Sequence, residues 1–352
     1  MTTDNSRPTQ ARRSTVRDVA AQAHVSAQTV SNYINRRFDE MGAETRTRIA
    51  AVMEELEFHP DSRARGLRTQ RTRALVFLVI DEGARFLADP MTDLILAGIG
   101  DVARDSGYSL LIQAGTPEVR SADLLAPVFE RRADAAFLFL SGERSLRSWY
   151  ASRLAARAVP CVVFEDDHRA ETVFSVAAAN QEGSRQLVSH LIARGHRRIA
   201  FIAARVSWPM IEERHRGYRD ALIAANIPPD PGLERFDGVW DLATGAPLVE
   251  SLLDQPQPPT AIVCGNDLLA LGAMHQLQVR GLKVPDDVAV AGFNDFDFSA
   301  FVNPPLTTVR IPGYEIGRIA ANKLIGYLEG TLDPADERRV VLPVELVIRE
   351  SA

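Results

Sequence analysis

Two cysteines in 352 residues cannot build a disulfide framework or a thiolate metal centre. Cys161 and Cys264 each sit inside a short apolar run that reads as a buried strand, with no CxxC or Cys/His spacing around either. Both are expected as reduced structural thiols, and no metal site is expected. Long hydrophobic runs are also missing. The longest, Ala74–Ile80, falls far short of the roughly 20 apolar residues that a membrane crossing needs. Residues 1–10 are polar and lack the charged start and apolar stretch of a secretion signal, so the expected compartment is the cytoplasm and no membrane partner is expected. Catalytic signatures are absent too: there is no GxSxG, HExxH or phosphate loop, and the seven histidines are scattered. Gly98, Gly100 and Ala103 imitate a dinucleotide fingerprint, but inside a helical pattern and not in the turn after a strand. Neither an enzyme nor a cofactor is expected.

What the sequence does have is the composition of a globular protein, 46% hydrophobic and 24% charged. At about 100–200 residues per domain its length gives two or three domains. The net charge of −6 looks wrong for a nucleic-acid binder until it is divided along the chain. Residues 1–73 hold 13 Lys+Arg against 9 Asp+Glu, and the other 279 hold 27 against 37. A small basic module is joined to a large acidic one.

Residues 1–13 are polar and aperiodic and read as a disordered arm. From Thr15 the pattern is helical, with Val16, Val19, Ala20 and Ala23 on one face and a capping box of Thr15 and Asp18. A second helix begins at Ser26, which can cap it while Val25 closes on Val30. A third spans about 44–57 with Ile49, Val52, Met53 and Leu56 as its apolar stripe. Beyond the Arg-rich stretch 61–73, short apolar runs alternate with amphipathic helices. Strands are expected at 74–80, 108–113, 135–140, 160–164, 199–203, 260–264 and 288–292, with a last one at 340–347. The clearest helix is 91–106. This alternation predicts an α/β fold of two doubly wound parallel sheets, divided near residue 177, behind an N-terminal all-α module.

The segment TVRDVAAQAHVSAQTVSNYIN, residues 15–35, has the layout of a helix-turn-helix. Val19, Ala20, Val25 and Val30 form the inner face, and Ala27, Gln28 and Asn32 point outward, where a second helix reads base edges. An ordinary helical hairpin in a core shows the same pattern. The position at the basic end, with Arg63, Arg65, Arg68, Arg71 and Arg73 downstream, favours DNA. In the core, ligands sit beyond the carboxyl ends of strands. There the sequence places Asp81, Glu82, Ser141, Glu165, Arg205, Asn266, Asp267, Asn294 and Asp295. Arg214 shares a helical stripe with Ile211, Tyr218 and Leu222, where a buried arginine needs partners.

With ETRTRIAAVMEELEFHPDSRARGLR (44–68), GHRRIAFI (195–202), RHRGYR (214–219), PTAIVCGNDLLALGAM (259–274), VPDDVAVAGFND (284–295) and PPLTTVRIPGYEIG (304–317), the chain from residue 14 onward resembles the lactose-repressor/galactose-repressor family of transcription regulators. The resemblance implies a helix-turn-helix headpiece at 14–59, a hinge helix at 60–73, and a periplasmic-binding-protein-like core. That core would have one subdomain at 74–176 and 311–336 and the other at 177–310 and 337–352. It also implies a homodimeric repressor on a palindromic double-stranded DNA operator, controlled by a small polar effector such as a sugar or sugar derivative. No heptad tail for a tetramer follows the last strand. Carried over residue by residue, the DNA contacts are Thr15, Ser26, Ala27, Gln28, Thr29, Ser31, Asn32 and Asn35 in the headpiece. Ala64, Arg65 and Leu67 join them in the hinge, with Leu67 as a wedge between base steps. The effector contacts are Glu165, Arg214, Trp240, Asn266 and Asn294. Three positions depart from the family's habit: His24 replaces a turn glycine that calls for positive φ, Asn294 replaces a usual aspartate, and Asn32 a frequent Arg or His. The competing reading is a small-molecule carrier of the periplasmic-binding type with no role on DNA.

Overall fold

The computed structural model describes residues 14–34, 37–58, 71–81, 86–116, 121–168, 170–205, 208–333 and 337–352. The chain forms two compact units, 1–72 and 73–352. The expected arm at 1–13, Asn35, and the expected hinge residues Ala64, Arg65 and Leu67 lie outside the described residues.

In the first unit, α1 (Val16–Gln22), α2 (Ala27–Ile34) and α3 (Ala43–Glu55) enclose a small core of Val19, Ala20, Ala23, Val30, Ile49, Val52 and Phe58. The capping box is present: Thr15 accepts from the Asp18 N–H, and the Asp18 carboxylate accepts from the Thr15 N–H at 2.8 Å. Ser26 Oγ accepts from the Thr29 N–H at 3.0 Å and starts α2. His24 holds φ at 52° in the turn, the left-handed geometry that the departure from glycine called for. Arg48 Nε donates to the Ala23 carbonyl at 2.9 Å and ties α3 to the end of α1.

The second unit runs β1 (Ala74–Ile80), α4 (Pro90–Asp105), β2 (Ser109–Gly115), α5 (Ala126–Phe129), β3 (Ala135–Leu140), α6 (Arg144–Ala155), β4 (Cys161–Phe164), β5 (Val173–Ala178), α7 (Asn180–Ala193), β6 (Ile199–Ala203), α8 (Pro209–Ala224), β7 (Glu234–Phe236), α9 (Leu242–Leu253), β8 (Ala261–Cys264), α10 (Asp267–Val279), β9 (Ala289–Ala291), β10 (Thr308–Arg310), α11 (Gly313–Glu329), β11 (Arg339–Leu342) and β12 (Glu345–Val347). A six-stranded parallel sheet has the order β11-β5-β4-β3-β1-β2, and a four-stranded parallel sheet the order β7-β6-β8-β9. Strand β1 shows why the runs are uninterrupted. Leu75, Phe77 and Val79 enter one core and Val76, Leu78 and Ile80 another, because helices cover both faces. Cys161 and Cys264 are buried, unpaired strand residues whose thiols burial pushes up in pKa.

Three short segments cross between the sheets, after Ala178, after Arg310 and after Leu342. The last corrects the sequence reading. Residues 340–347 are not one strand: Pro343 has no N–H for a ladder, and the run divides. β11 pairs with β5 in the first sheet, while β12 pairs antiparallel with β10 beside the second. Residues 339–342 therefore extend the first sheet, and β5 carries that sheet past 176 to Ala178. β5, β7 and β10 are strands that the periodicity did not mark.

Of the two glycines that imitate a dinucleotide loop, Gly98 packs a helix, whereas a Cβ on Gly100 would meet nothing within 4 Å. A Cβ on Gly98 would lie 2.1 Å from the Tyr314 carbonyl oxygen, and one on Gly317 2.1 Å from that of Ile95. Only glycine lets the backbones of α4 and α11 approach this closely.

Candidate functional site

The first surface is the outer side of α2. Ser26, Ala27 and Gln28 are exposed, and Thr29 and Ser31 are partly so. Ser26 and Thr29 hydroxyls pair at 2.8 Å, which fixes the first turn. Asn32, expected to point outward, is instead 9% exposed. Helical side chains lean toward the N-terminus, so an amide four residues on meets its neighbour. Gln28 Nε2 donates to Asn32 Oδ1 at 2.8 Å, and the outermost amide of the pair is that of Gln28.

The second surface is a cleft of about 460 Å³ between the two parallel sheets of the 73–352 unit, at the carboxyl ends of the strands. One wall carries Asp81 after β1, Asp89 and Met91 at the start of α4, and Phe139 at the end of β3. The other carries Trp208, Ile211 and Arg214 from α8 and its approach, Trp240 before α9, Asn266 and Asn294. The Trp208 and Phe139 rings meet across the cleft with centroids 4.6 Å apart.

Arg214 is the buried charge at its floor, 4% exposed. Its Nε donates to Asn180 Oδ1 at 2.8 Å, Nη1 to the Gly265 carbonyl at 2.6 Å and Nη2 to Asn294 Oδ1 at 2.9 Å. The Phe293 ring lies 3.9 Å from its Cζ. Burial lowers its pKa to about 10, opposed by the charges of Glu165, Asp267 and Asp89, so it stays protonated at neutral pH. A guanidinium has five N–H groups in a planar fork. Three are used here, which leaves two for a pair of acceptor oxygens.

The neighbours are equally constrained. Asn294 sits at φ 114°, where asparagine is tolerated better than most residues, and its backbone N–H holds the Val309 carbonyl at 2.8 Å. Asn266 caps α10, with Oδ1 accepting from the Leu269 N–H at 2.9 Å, which frees its amide nitrogen to donate. Trp240 lies over Gly265, where a Cβ would come within 2.9 Å of its ring, and its Nε1–H is buried without a partner among the described residues. Asp89 caps α4 by accepting from the Met91 N–H at 3.0 Å. Burial pushes its carboxyl up to about 6, with the nearby Asp81 charge acting in the same direction.

Four of the five expected effector residues, Arg214, Trp240, Asn266 and Asn294, thus line one cleft. Glu165 does not. At φ 57°, its carboxylate points away to a second, highly charged cleft of about 440 Å³, where it accepts from the Ala178 N–H at 3.2 Å and from Asn180 Nδ2 at 2.8 Å. Of the other strand-end residues, Asp81 lines the cleft. Asp267 is a buried structural knot that accepts from the Phe296 N–H, Ser299 Oγ and Thr308 Oγ1. Asp295 pairs with Arg310 and Arg349. Sequence reasoning missed Asp89, Phe139, Trp208 and Asn180. Asp89 before Pro90 is a helix-start signature that could have been found. Asn180 follows β5, the strand that was not recognised. Among the described residues, no His/Cys/Asp/Glu group is placed to hold a metal, and no helix is long and apolar enough to cross a membrane.

Comparison with known proteins agrees with this geometry. Residues 15–61 match the family described as bacterial regulatory proteins, lacI family, and residues 188–352 match a periplasmic binding protein-like domain. The HTH-type transcriptional repressor CytR of Escherichia coli (strain K12) is 32% identical over 340 residues, which cover 96% of each chain. Among solved structures, the lac repressor dimer bound to operator and the anti-inducer ONPF superposes with a TM-score of 0.82 at 27% identity, over 97% of this chain and 99% of that one. The transcriptional regulator CelR in its cellobiose complex superposes at 0.70 with 30% identity, over 97% of this chain and all of the other. The chain belongs to the lacI family of bacterial regulatory proteins.

Proposed function

We propose that this protein is a cytoplasmic transcription repressor, not an enzyme, that binds a palindromic operator as a homodimer and changes its affinity when a small polar, sugar-like effector enters the cleft around Arg214. The observation that carries the reading is the pairing of a capped helix-turn-helix with a cleft whose floor is a buried, still-charged arginine fork. Arg214 with Asn266 and Asn294 offers donors and acceptors to hydroxyl or carboxylate oxygens. Trp208, Phe139 and Trp240 offer flat apolar surface to a ring, and Asp89 and Asp81 offer acceptors at the opposite wall. That combination suits a sugar, a sugar acid or a nucleoside.

Ser26, Ala27, Gln28, Thr29 and Ser31 form the face assigned to DNA, with Gln28 as its base-reading amide and Asn32 as the residue that orients it. Thr15 caps α1 and is assigned to phosphate. Dimerisation through the second subdomain is supported by Phe301, 87% exposed, and Val279, 65% exposed, next in sequence to residues of a groove of mixed lining that includes Leu271, Val302, His275 and Lys283. We place the core subdomains at 73–178 with 311–342 and at 179–310 with 343–352.

Two assays test this. Selection from a random duplex pool should enrich a palindrome, and enrichment of no sequence would return the chain to the carrier reading. A thermal-shift panel of sugars, polyols, nucleosides and sugar acids should find stabilisation of about 2.7 kcal/mol at 100 times the dissociation constant.

A further inference from the structure

We propose that Glu165 and Asn180 are positioning residues that set the pose of the Arg214 guanidinium from the crossover after Ala178, so that the charge state of the second, highly charged cleft (the rear cleft) is transmitted to the cleft around Arg214. The inference rests on the assignment of Arg214 to the effector only for its functional consequence. The relay itself is a property of the unliganded protein.

The geometry is a chain of directed hydrogen bonds across the first crossover. Glu165, at the end of β4 in the first subdomain, accepts from the Ala178 N–H with both oxygens at 3.2 Å and from Asn180 Nδ2 at 2.8 Å. Asn180, the first residue of α7, turns its other end to Arg214 on α8 of the second subdomain and accepts from Nε at 2.8 Å. An amide has one donor end and one acceptor end. Asn180 Nδ2 also donates to the Ala178 carbonyl at 3.3 Å, so Glu165 and that carbonyl together turn Asn180 Oδ1 toward Arg214, and a carboxylate at 165 polarises the amide and strengthens its oxygen as an acceptor. Asn180 is 2% exposed, so it has no water to turn to instead. Asn180 sits where the chain passes between subdomains and meets Arg214 at Nε, while Gly265 and Asn294 take the two terminal nitrogens.

Glu165 is also titratable in the useful range. Burial pushes its carboxyl up to about 7, partly offset by the Ala178 N–H, Arg214 and Asn180, while the Glu213 charge raises it further. The rear cleft surrounds it with both signs. Arg144 and Arg147 come from α6, Asp166 and Asp167 from the loop after β4, and Glu182 and Arg185 from α7. Glu212, Glu213 and Arg216 come from α8 and Arg339 from β11. Most of these are already spent: Arg147 on Asp166 and Glu212, Arg185 on Glu182, and Arg216 on Glu213. Glu165 is turned instead to Asn180 and, through it, to Arg214. Loss of its proton above neutral pH adds a counter-charge behind Arg214, and gain of the proton removes it.

The test needs no ligand. In ¹H–¹⁵N spectra of the perdeuterated, arginine-labelled full-length protein, the Arg214 Nε–H signal, assigned from Arg214→Lys, is expected to be shifted and protected from exchange. In wild type it should titrate with a midpoint near pH 7. In Glu165→Gln, which keeps an accepting oxygen, the signal should persist without that titration. In Asn180→Ala it should lose its protection at least tenfold, while the Arg147 signal stays put. A wild-type Arg214 signal that is flat between pH 5.5 and 8.5, or that titrates unchanged in Glu165→Gln, overturns the relay. Neither outcome bears on whether an effector binds, which the ligand panel reports separately.

Discussion

Replacing Glu165 with glutamine isolates what it costs to bury a carboxyl against the Ala178–Asn180 crossover. Burial lifts this group from 4.5 to about 7. Between those values the folded chain keeps a proton that the unfolded chain has released, so the folded state binds more protons and its stability falls as pH rises. The penalty is nearly absent below pH 4.5 and fully developed above pH 7. At about 1.4 kcal/mol per pKa unit, a rise of this size corresponds to about 3 kcal/mol. Part of the Glu165 surface remains open to the rear cleft, and solvent screening there brings the working figure to about 2 kcal/mol. Glutamine preserves the size and one accepting oxygen but cannot ionise. Urea unfolding of both proteins at pH 5, 6, 7 and 8 is therefore expected to show nearly matched stabilities at pH 5. Glu165→Gln should then become progressively the more stable, by about 2 kcal/mol more at pH 8 than at pH 5. Parallel stability curves would refute the reasoning, because they would mean that the carboxyl titrates alike folded and unfolded.

Gln28→Ala should relax base choice at one symmetric pair of operator positions by about 1–3 kcal/mol while leaving binding to random DNA unchanged, as read by competitive binding to a doped operator library. Gly98→Ala puts a methyl 2.1 Å from the Tyr314 carbonyl oxygen. Overpacking of about 1–3 kcal/mol should outweigh the gain in helix propensity and lower the urea midpoint of the core. Phe301→Glu should weaken self-association in analytical ultracentrifugation with no change in the circular dichroism spectrum, since the side chain is almost wholly exposed in the single chain.

Much of this was legible because the physical signals are local. The capping box at Thr15, the Ser26 cap and the positive φ at His24 depend on a few neighbouring atoms, and each is present. Buried strands such as 74–80 and 199–203 show as continuous apolar runs because both faces are covered. The second sheet's companions β7, β10 and β12 are three residues each, too short for any period to register. Division of 340–347 required knowing that Pro343 sits where the chain changes sheets. Within the cleft, polar residues at strand ends could be listed from sequence, but their directions could not. Glu165 and Arg214 were both in reach of that reasoning; that Asn180 stands between them, turning Glu165 from a wall of the cleft into a support for it, depends on the geometry of the crossover after β5. Asn32 shows the same limit, since helical phase says which face a side chain leaves from and not which neighbour lies over it.

The central claim is that one molecule joins the DNA-binding face to the cleft around Arg214. Fluorescence anisotropy with the selected palindrome, titrated with a compound from the panel that raises the melting temperature, tests it most directly. Wild type should change its operator affinity by about 5–150-fold, the range of a coupling of 1–3 kcal/mol. Arg214→Lys, which keeps the charge but not the fork, should bind the bare operator as tightly as wild type and need at least about tenfold more compound to respond. Operator affinity that is indifferent to every compound that stabilises the cleft, or an Arg214→Lys response matching wild type, would contradict the account.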